Sequence, residues 1–186
     1  MKIGIISDTH GNVPSWQKAM ARFGGAEMIL HAGDVLYHPP RIGVTPGYDT
    51  MGLVDLINTS LVPIVIARGN VDPEVYEELL EIPVLSPYAF VEIDGLRIVV
   101  NHGHTLTPES IHQLSERFGA DVLVTGHTHL PVVEQLHGMV HINPGSPTHP
   151  KFERDGVPAP TVGLIEDGVV KVVEMESGAE IVSMRL

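Results

Sequence analysis

Three short β-branched runs constrain this chain more than any other feature. They are residues 2–7 (KIGIIS), 27–32 (EMILHA) and 62–67 (VPIVIA), and a helical stretch separates each from the next. Brief apolar runs between turn signals read as buried strands. Pro14 opens the first helix, Trp16, Ala19, Met20 and Phe23 recur on one face, and Gly24-Gly25 stop it. A second helix is expected from about Asp49 to Ser60. The order β-α-β-α-β is the signature of parallel strands with helical crossovers, so the chain is expected to be α/β. Sites in such sheets form at the carboxyl ends of strands.

The second half continues the pattern. Runs 88–93 and 96–101 flank Asp94-Gly95, a type I′ hairpin signal. Thr107 caps a helix, Pro108 takes its first position, and Ile111, Leu114 and Phe118 form its stripe. Strands are expected at 121–125, 131–136 and 139–143, then a Pro-rich loop at about 144–160. Asp167-Gly168 joins two more strands, and 180–185 reads as a last one. No repeat or linker divides the sequence, and 186 residues suit one sizeable core, so 1–186 is expected to be one domain.

Each strand of the parallel unit runs into a polar loop. Asp8 and His10 follow the first (SDTHGN), Asp34 the second (HAGD) and Asn70 the third (RGNVD). His102 (NHGH) and then His127 and His129 (GHTH) follow later strands. Singly, Asp8 and Asp34 read equally well as turn residues. Paired histidines at i and i+2 in glycine loops point instead to chelation. The donors are oxygen and nitrogen only, which suits Mn, Fe, Zn, Co or Ni.

The net charge is −12, which opposes binding of long nucleic acid through a basic face. It does not oppose a small phosphate ester, because bound cations reverse the local sign. The chain has no cysteine, which excludes disulfides and thiolate sites. The opening MKIGIISDTH is too short in apolar residues for a secretory core, and no run approaches a membrane span. A cytoplasmic protein without a membrane partner is expected. A homo-oligomer stays open.

In this order, Asp-x-His, Gly-Asp, Gly-Asn, a lone His and Gly-His-x-His resemble the calcineurin-like metallophosphoesterase superfamily, from Asp8 to the NPGS at 143–146. The length, RGN-x-D, HGH and GHTHLPV look most like its small bacterial phosphodiesterases. The resemblance implies a four-layer α/β/β/α sandwich, two mixed sheets flanked by helices. It also implies two divalent cations, manganese by preference. The first would take Asp8, His10, Asp34 and His129, and the second Asp34, Asn70, His102 and His127. A hydroxide between them would attack a phosphodiester in line.

Two departures refine the expectation. Many members carry His after the Gly-Asn, where it protonates the leaving oxygen, and here the residue is Val71. A missing general acid costs about 10²–10⁴ in rate, so activated esters or acidic leaving groups are favoured. His104 is the candidate replacement acid or phosphate contact, with an orienting role as its alternative. The Arg of the protein phosphatases, in an Asp-Arg-Gly after the Gly-Asp, is also absent from GDVLYHPP. Arg68 could reach substrate or form a structural ion pair. Asn12 could hold an anion or cap a helix. Asp72 is expected to support the Asn70 loop. His31 is expected in the core, His38 and His149 beside the cleft, and His112, His137 and His141 at the surface. The competing activities are a phosphomonoesterase, a nucleotide-specific diesterase, and a non-catalytic scaffold like the related retromer subunit.

Overall fold

A computed structural model describes residues 1–186. The parallel unit is β1 (Lys2–Ile6), α1 (Val13–Arg22), β2 (Met28–His31), α2 (Thr50–Asn58) and β3 (Ile64–Ala67). Two short elements follow where the sequence carried no clear periodicity, α3 (Tyr76–Leu79) and β4 (Val84–Leu85), and β4 extends the parallel run. Next come β5 (Ala89–Ile93), β6 (Leu96–Val100), α4 (Pro108–Phe118), β7 (Val122–Val124), β8 (Pro131–Leu136) and β9 (Met139–Pro144). The chain closes with β10 (Glu153–Arg154), β11 (Val157–Pro158), β12 (Thr161–Glu166), β13 (Val169–Glu174) and β14 (Glu180–Arg185).

The strands form two mixed sheets. The first has the order β14-β13-β12-β1-β2-β3-β4, parallel from β1 to β4 and antiparallel beyond β1. The second has the order β5-β6-β7-β9-β8, with β6, β7 and β9 parallel and antiparallel strands at both edges. Alternation along each strand divides the apolar side chains between two faces. Ile3, Ile5 and Leu30 of the first sheet meet Ile98, Val122 and Ile142 of the second. On the outer face of the first sheet, Ile6, Ile29 and Ile66 pack with Trp16 and Ala19 of α1 and Leu53 and Ile57 of α2. On the outer face of the second, Val99 and Leu123 pack with Leu114 of α4. The result is four layers, α/β/β/α. Burial of one such Leu or Ile contributes about 1.5–3 kcal/mol.

Three sequence expectations need correction. Phe118 is 52% exposed rather than part of the buried stripe of α4. It closes the last turn, and its ring rests on Phe90 of the edge strand β5, 5.1 Å between centroids. The stretch 144–160 is not all loop, since β10 and β11 pair around Asp155-Gly156, both with positive φ. The second helix starts at Thr50, with Asp49 outside it as cap, accepting from Gly52 N–H at 2.9 Å. No helix is long and apolar enough to cross a membrane.

Candidate metal centre

The strand ends meet where the sequence places the donors. Asp8 follows β1 and Asp34 lies beyond β2, while His102 and His127 leave β6 and β7 on the facing sheet. Donor atoms within 4.8 Å of one another form two groups, Asp8–His10–His129 and Asp8–Asp34–His102. All five of these residues are buried. Asn70 lies against the second group, and His127 Nδ1 reaches it through Asn70. Asn70 Oδ1 lies 3.0 Å from His102 Nε2 and 2.8 Å from His127 Nδ1. Asp8, rather than Asp34, is therefore common to both tight groups, and Asp34 Oδ1 accepts Val71 N–H at 3.1 Å.

Each of three histidines has one nitrogen fixed by the backbone. His10 Nδ1 donates to the Tyr37 carbonyl at 2.8 Å, His102 Nδ1 to Ala32 at 2.7 Å and His129 Nδ1 to His149 at 2.7 Å. A carbonyl only accepts, so each Nδ1 carries a proton, and Nε2 is the nitrogen left to offer a lone pair to a cation. The Nε2 atoms of His10 and His129 face each other at 3.4 Å. Two lone pairs at that distance repel unless something positive lies between them. Asp8 Oδ1 is buried without a hydrogen-bond partner, with His129 Nε2 at 3.1 Å and His10 Nε2 at 3.8 Å. These are the features of a cation site built from O and N donors, so the residues fit the metal centre that the sequence suggests.

The field of the carboxylates shows in the protonation of their neighbours. Burial lowers the affinity of His102 for its proton, yet the hydrogen bond to Asp34 and the charges of Asp8 and Asp34 carry its pKa up to about 9. Burial opposes ionisation of Asp8 as well, but His129 and His102 bring it down to about 2. Burial lowers His129 too, but the carboxylate of Asp8, 3.1 Å from its Nε2, raises it on balance. The pocket thus draws positive charge.

Supporting residues hold the loops. Asp72 is buried, and its carboxylate accepts the N–H groups of Asp34 (2.7 Å), Val35 (2.8 Å) and Gly69 (2.8 Å). It thereby ties the Asp34 loop to the Asn70 loop. Burial, the largest effect, raises its pKa to about 6. His31 is fully buried, and burial lowers its pKa to about 3. Its Nδ1 accepts Gly33 N–H at 3.0 Å, and its Nε2 donates to Thr9 Oγ1, whose own hydrogen goes to the Val35 carbonyl. Ser146 Oγ donates to the Asp8 carbonyl at 2.9 Å, and Asn143 Nδ2 to the Gly126 carbonyl at 2.7 Å. Sequence reading gave Thr9, Asn143 and Ser146 no role. Their only signal was proximity to the motifs and the NPGS run.

Two candidate substrate contacts are engaged elsewhere. Asn12 Oδ1 caps α1 through Ser15 N–H, and its Nδ2 donates to Thr45 Oγ1 and the Pro46 carbonyl, each at 2.9 Å. No polar hydrogen is left for an anion. Arg68 pairs with Glu77. His104 is exposed beside the second group, its ring 5.3 Å from His102 and 6.0 Å from His127. His149 lies 5.4 Å from His10, ring to ring, and His38 packs edge-on against Tyr48. His141 bonds Glu134, and His112 meets His137 edge to face, away from the donors.

A mixed two-sheet α/β sandwich with an oxygen and nitrogen donor cluster at the strand ends is the architecture of a metallophosphoesterase. The calcineurin-like phosphoesterase superfamily domain matches residues 1–166. Phosphodiesterase YfcE of Escherichia coli K12 is 36% identical over 177 residues, 94% of this chain and 92% of that protein. Phosphodiesterase MJ0936 of Methanocaldococcus jannaschii is 30% identical over 154 residues, 78% of this chain and 83% of that protein. The solved structure of the E. coli phosphoesterase YfcE superposes with a TM-score of 0.85 at 32% identity, covering 100% of this chain and 99% of that one. Chaetomium thermophilum Vps29 shares the fold, with a TM-score of 0.66 at 20% identity over 100% and 93% of the two chains. The chain belongs to the calcineurin-like phosphoesterase superfamily, and with it to the phosphoric ester hydrolases.

Proposed function

We propose that this protein is a metal-dependent phosphodiesterase of small substrates, with a dinuclear centre. The observation that carries the reading is the fixed tautomer of His10, His102 and His129 around two buried carboxylates. An imidazole whose second nitrogen is tied to a carbonyl is a poor proton shuttle and a good ligand. Asp8, His10 and His129 would hold one cation, and Asp34, Asn70, His102 and His127 the other. Asp8, common to both donor groups, stands between them. When bound, a pair of divalent cations supplies a nucleophilic hydroxide at neutral pH and neutralises phosphoryl charge.

The protein's own residues set the substrate class. Asn70 is neutral, so two carboxylates face two dications and the centre keeps a net positive charge. That attracts a monoanionic diester. The names of the relatives, phosphodiesterases in E. coli and M. jannaschii, favour the diester over the monoester. Val71 offers no proton to a leaving group, which favours activated esters and acidic leaving groups. His104, exposed beside His102 and His127, is the proposed phosphate contact. Manganese is the proposed ion, and the donor set also accepts Fe, Zn, Co or Ni.

The test is to strip the protein of metal, return each divalent ion, and assay a diester, a monoester and cyclic nucleotides. Manganese is expected to restore hydrolysis of the diester first. A protein inert with every ion is a scaffold, and the proposal fails.

A further inference from the structure

We propose that the cleft beside Asn70 receives one organic arm of the substrate, and that this arm ends in a flat, uncharged aromatic ring. The inference rests on the phosphodiesterase reading. The cleft measures about 460 Å³ and is lined by Tyr37, Pro40, Asn70, Val71, Asp72 and Pro73. That volume suits a ring system or a nucleoside.

Two lining residues are tied to the donor cluster. Asn70 is itself part of the donor cluster, its Oδ1 facing His102 and His127. Tyr37 holds His10 through its backbone carbonyl, so its backbone stands at a fixed place relative to the first donor group. Tyr37 is 48% exposed, which leaves its side chain free to stack on an occupant.

The chemistry of the walls selects a neutral occupant. Pro40 and Pro73 have no N–H to give. Val71 N–H is taken by Asp34 Oδ1. The carboxylate of Asp72, the one charged lining group, is bound to three backbone N–H groups and does not face an occupant as a free anion. No cation lines the cleft, and Arg68 nearby is paired with Glu77. A second phosphate or a carboxylate on the arm would find no cationic partner in this lining.

Binding of non-hydrolysable single-arm ligands tests this without regard to which ester bond breaks. The ligands are methylphosphonate, phenylphosphonate and 4-carboxyphenylphosphonate, titrated calorimetrically into the manganese-loaded protein. Phenylphosphonate is expected to bind about ten-fold tighter than methylphosphonate, from ring stacking. The added carboxylate is expected to weaken it. Tyr37→Ala should cut the phenyl preference below about three-fold, and Tyr37→Phe should keep it. Val71→Phe, which fills the cleft from another wall, should remove the preference while methylphosphonate still binds. Equal affinity for all three ligands overturns the inference, and so does a preference untouched by both Tyr37→Ala and Val71→Phe. Diester turnover measured on the same samples separates the two claims. Turnover without a ring preference overturns the cleft and leaves the activity. A ring preference without turnover overturns the activity and leaves the cleft.

Discussion

Five of the seven candidate ligands have left-handed backbone. The φ angles are 57° at Asp8, 45° at His10, 57° at Asp34, 67° at His127 and 59° at His129. Such a residue costs about 1–3 kcal/mol unless its surroundings hold it, and glycines let those surroundings close in. A Cβ on Gly69 would lie 2.1 Å from Asp34 Oδ1 and 2.3 Å from Asp34 N. A Cβ on Gly126 would lie 1.9 Å from Ser7 Oγ and 2.8 Å from Asp8 Oδ2. Gly69→Ala is therefore expected to push Asp34 out of place and lower manganese affinity at least about ten-fold, read by calorimetry, a cost in line with a displaced ligand support. Unchanged affinity would show that the close approach does not matter. Val71→His restores a group able to protonate the leaving oxygen. It is expected to raise turnover of alkyl diesters by about 10²-fold or more, with a smaller gain on nitrophenyl diesters. Equal gains on both would remove the missing-acid argument. The donor types and their spacing were legible in the sequence, because chelation demands particular side chains. The fixed tautomers were not, since the carbonyl under His10 belongs to Tyr37 and the one under His102 to Ala32, 27 and 70 residues away.

Among elements, the loop at 37–49 depends on α1. Asn12 caps that helix and grips Thr45 and Pro46, while Val13 N–H reaches the Gly47 carbonyl and Asp49 N–H the Gly11 carbonyl. The loop begins at Tyr37, whose carbonyl orients His10. Asn12→Ala removes a cap worth about 1 kcal/mol and two further hydrogen bonds of about 0.5–1.5 kcal/mol each. A loss of about 2–4 kcal/mol in denaturant stability is expected, together with weaker manganese binding. If stability falls and manganese affinity does not, the loop is independent of the metal centre. The main strands and helices could be read because periodicity and caps such as Thr107-Pro108 are local signals. Elements α3, β4, β10 and β11 are two to four residues long, too short for a period to show. Asp155-Gly156 was the one clue to the β10–β11 hairpin, as Asp94-Gly95 and Asp167-Gly168 were to theirs.

On the scale of the whole molecule, the donor cluster bridges the two sheets. Asp8, His10, Asp34 and Asn70 come from loops of the first, and His102, His127 and His129 from loops of the second. A cation held by both groups would fasten one sheet to the other, beside the apolar layer of Ile3, Ile5, Val122 and Ile142 that already joins them. We propose on this ground that 1–186 unfolds as one domain, and that metal shifts the whole transition. A ligand at 100 times its Kd adds about 2.7 kcal/mol. For a chain of this size, that raises the melting temperature by roughly 5–10 °C. Calorimetric scans should show one peak with manganese and one peak, at the lower temperature, after chelation. Asp8→Asn should lose most of the shift, because it removes a charge common to both donor groups. Two peaks moving separately would mean that the sheets melt apart. A single peak indifferent to manganese would mean that the donors do not hold an ion in the folded protein. The expected result requires both the apolar layer and the donor cluster to act across the same gap.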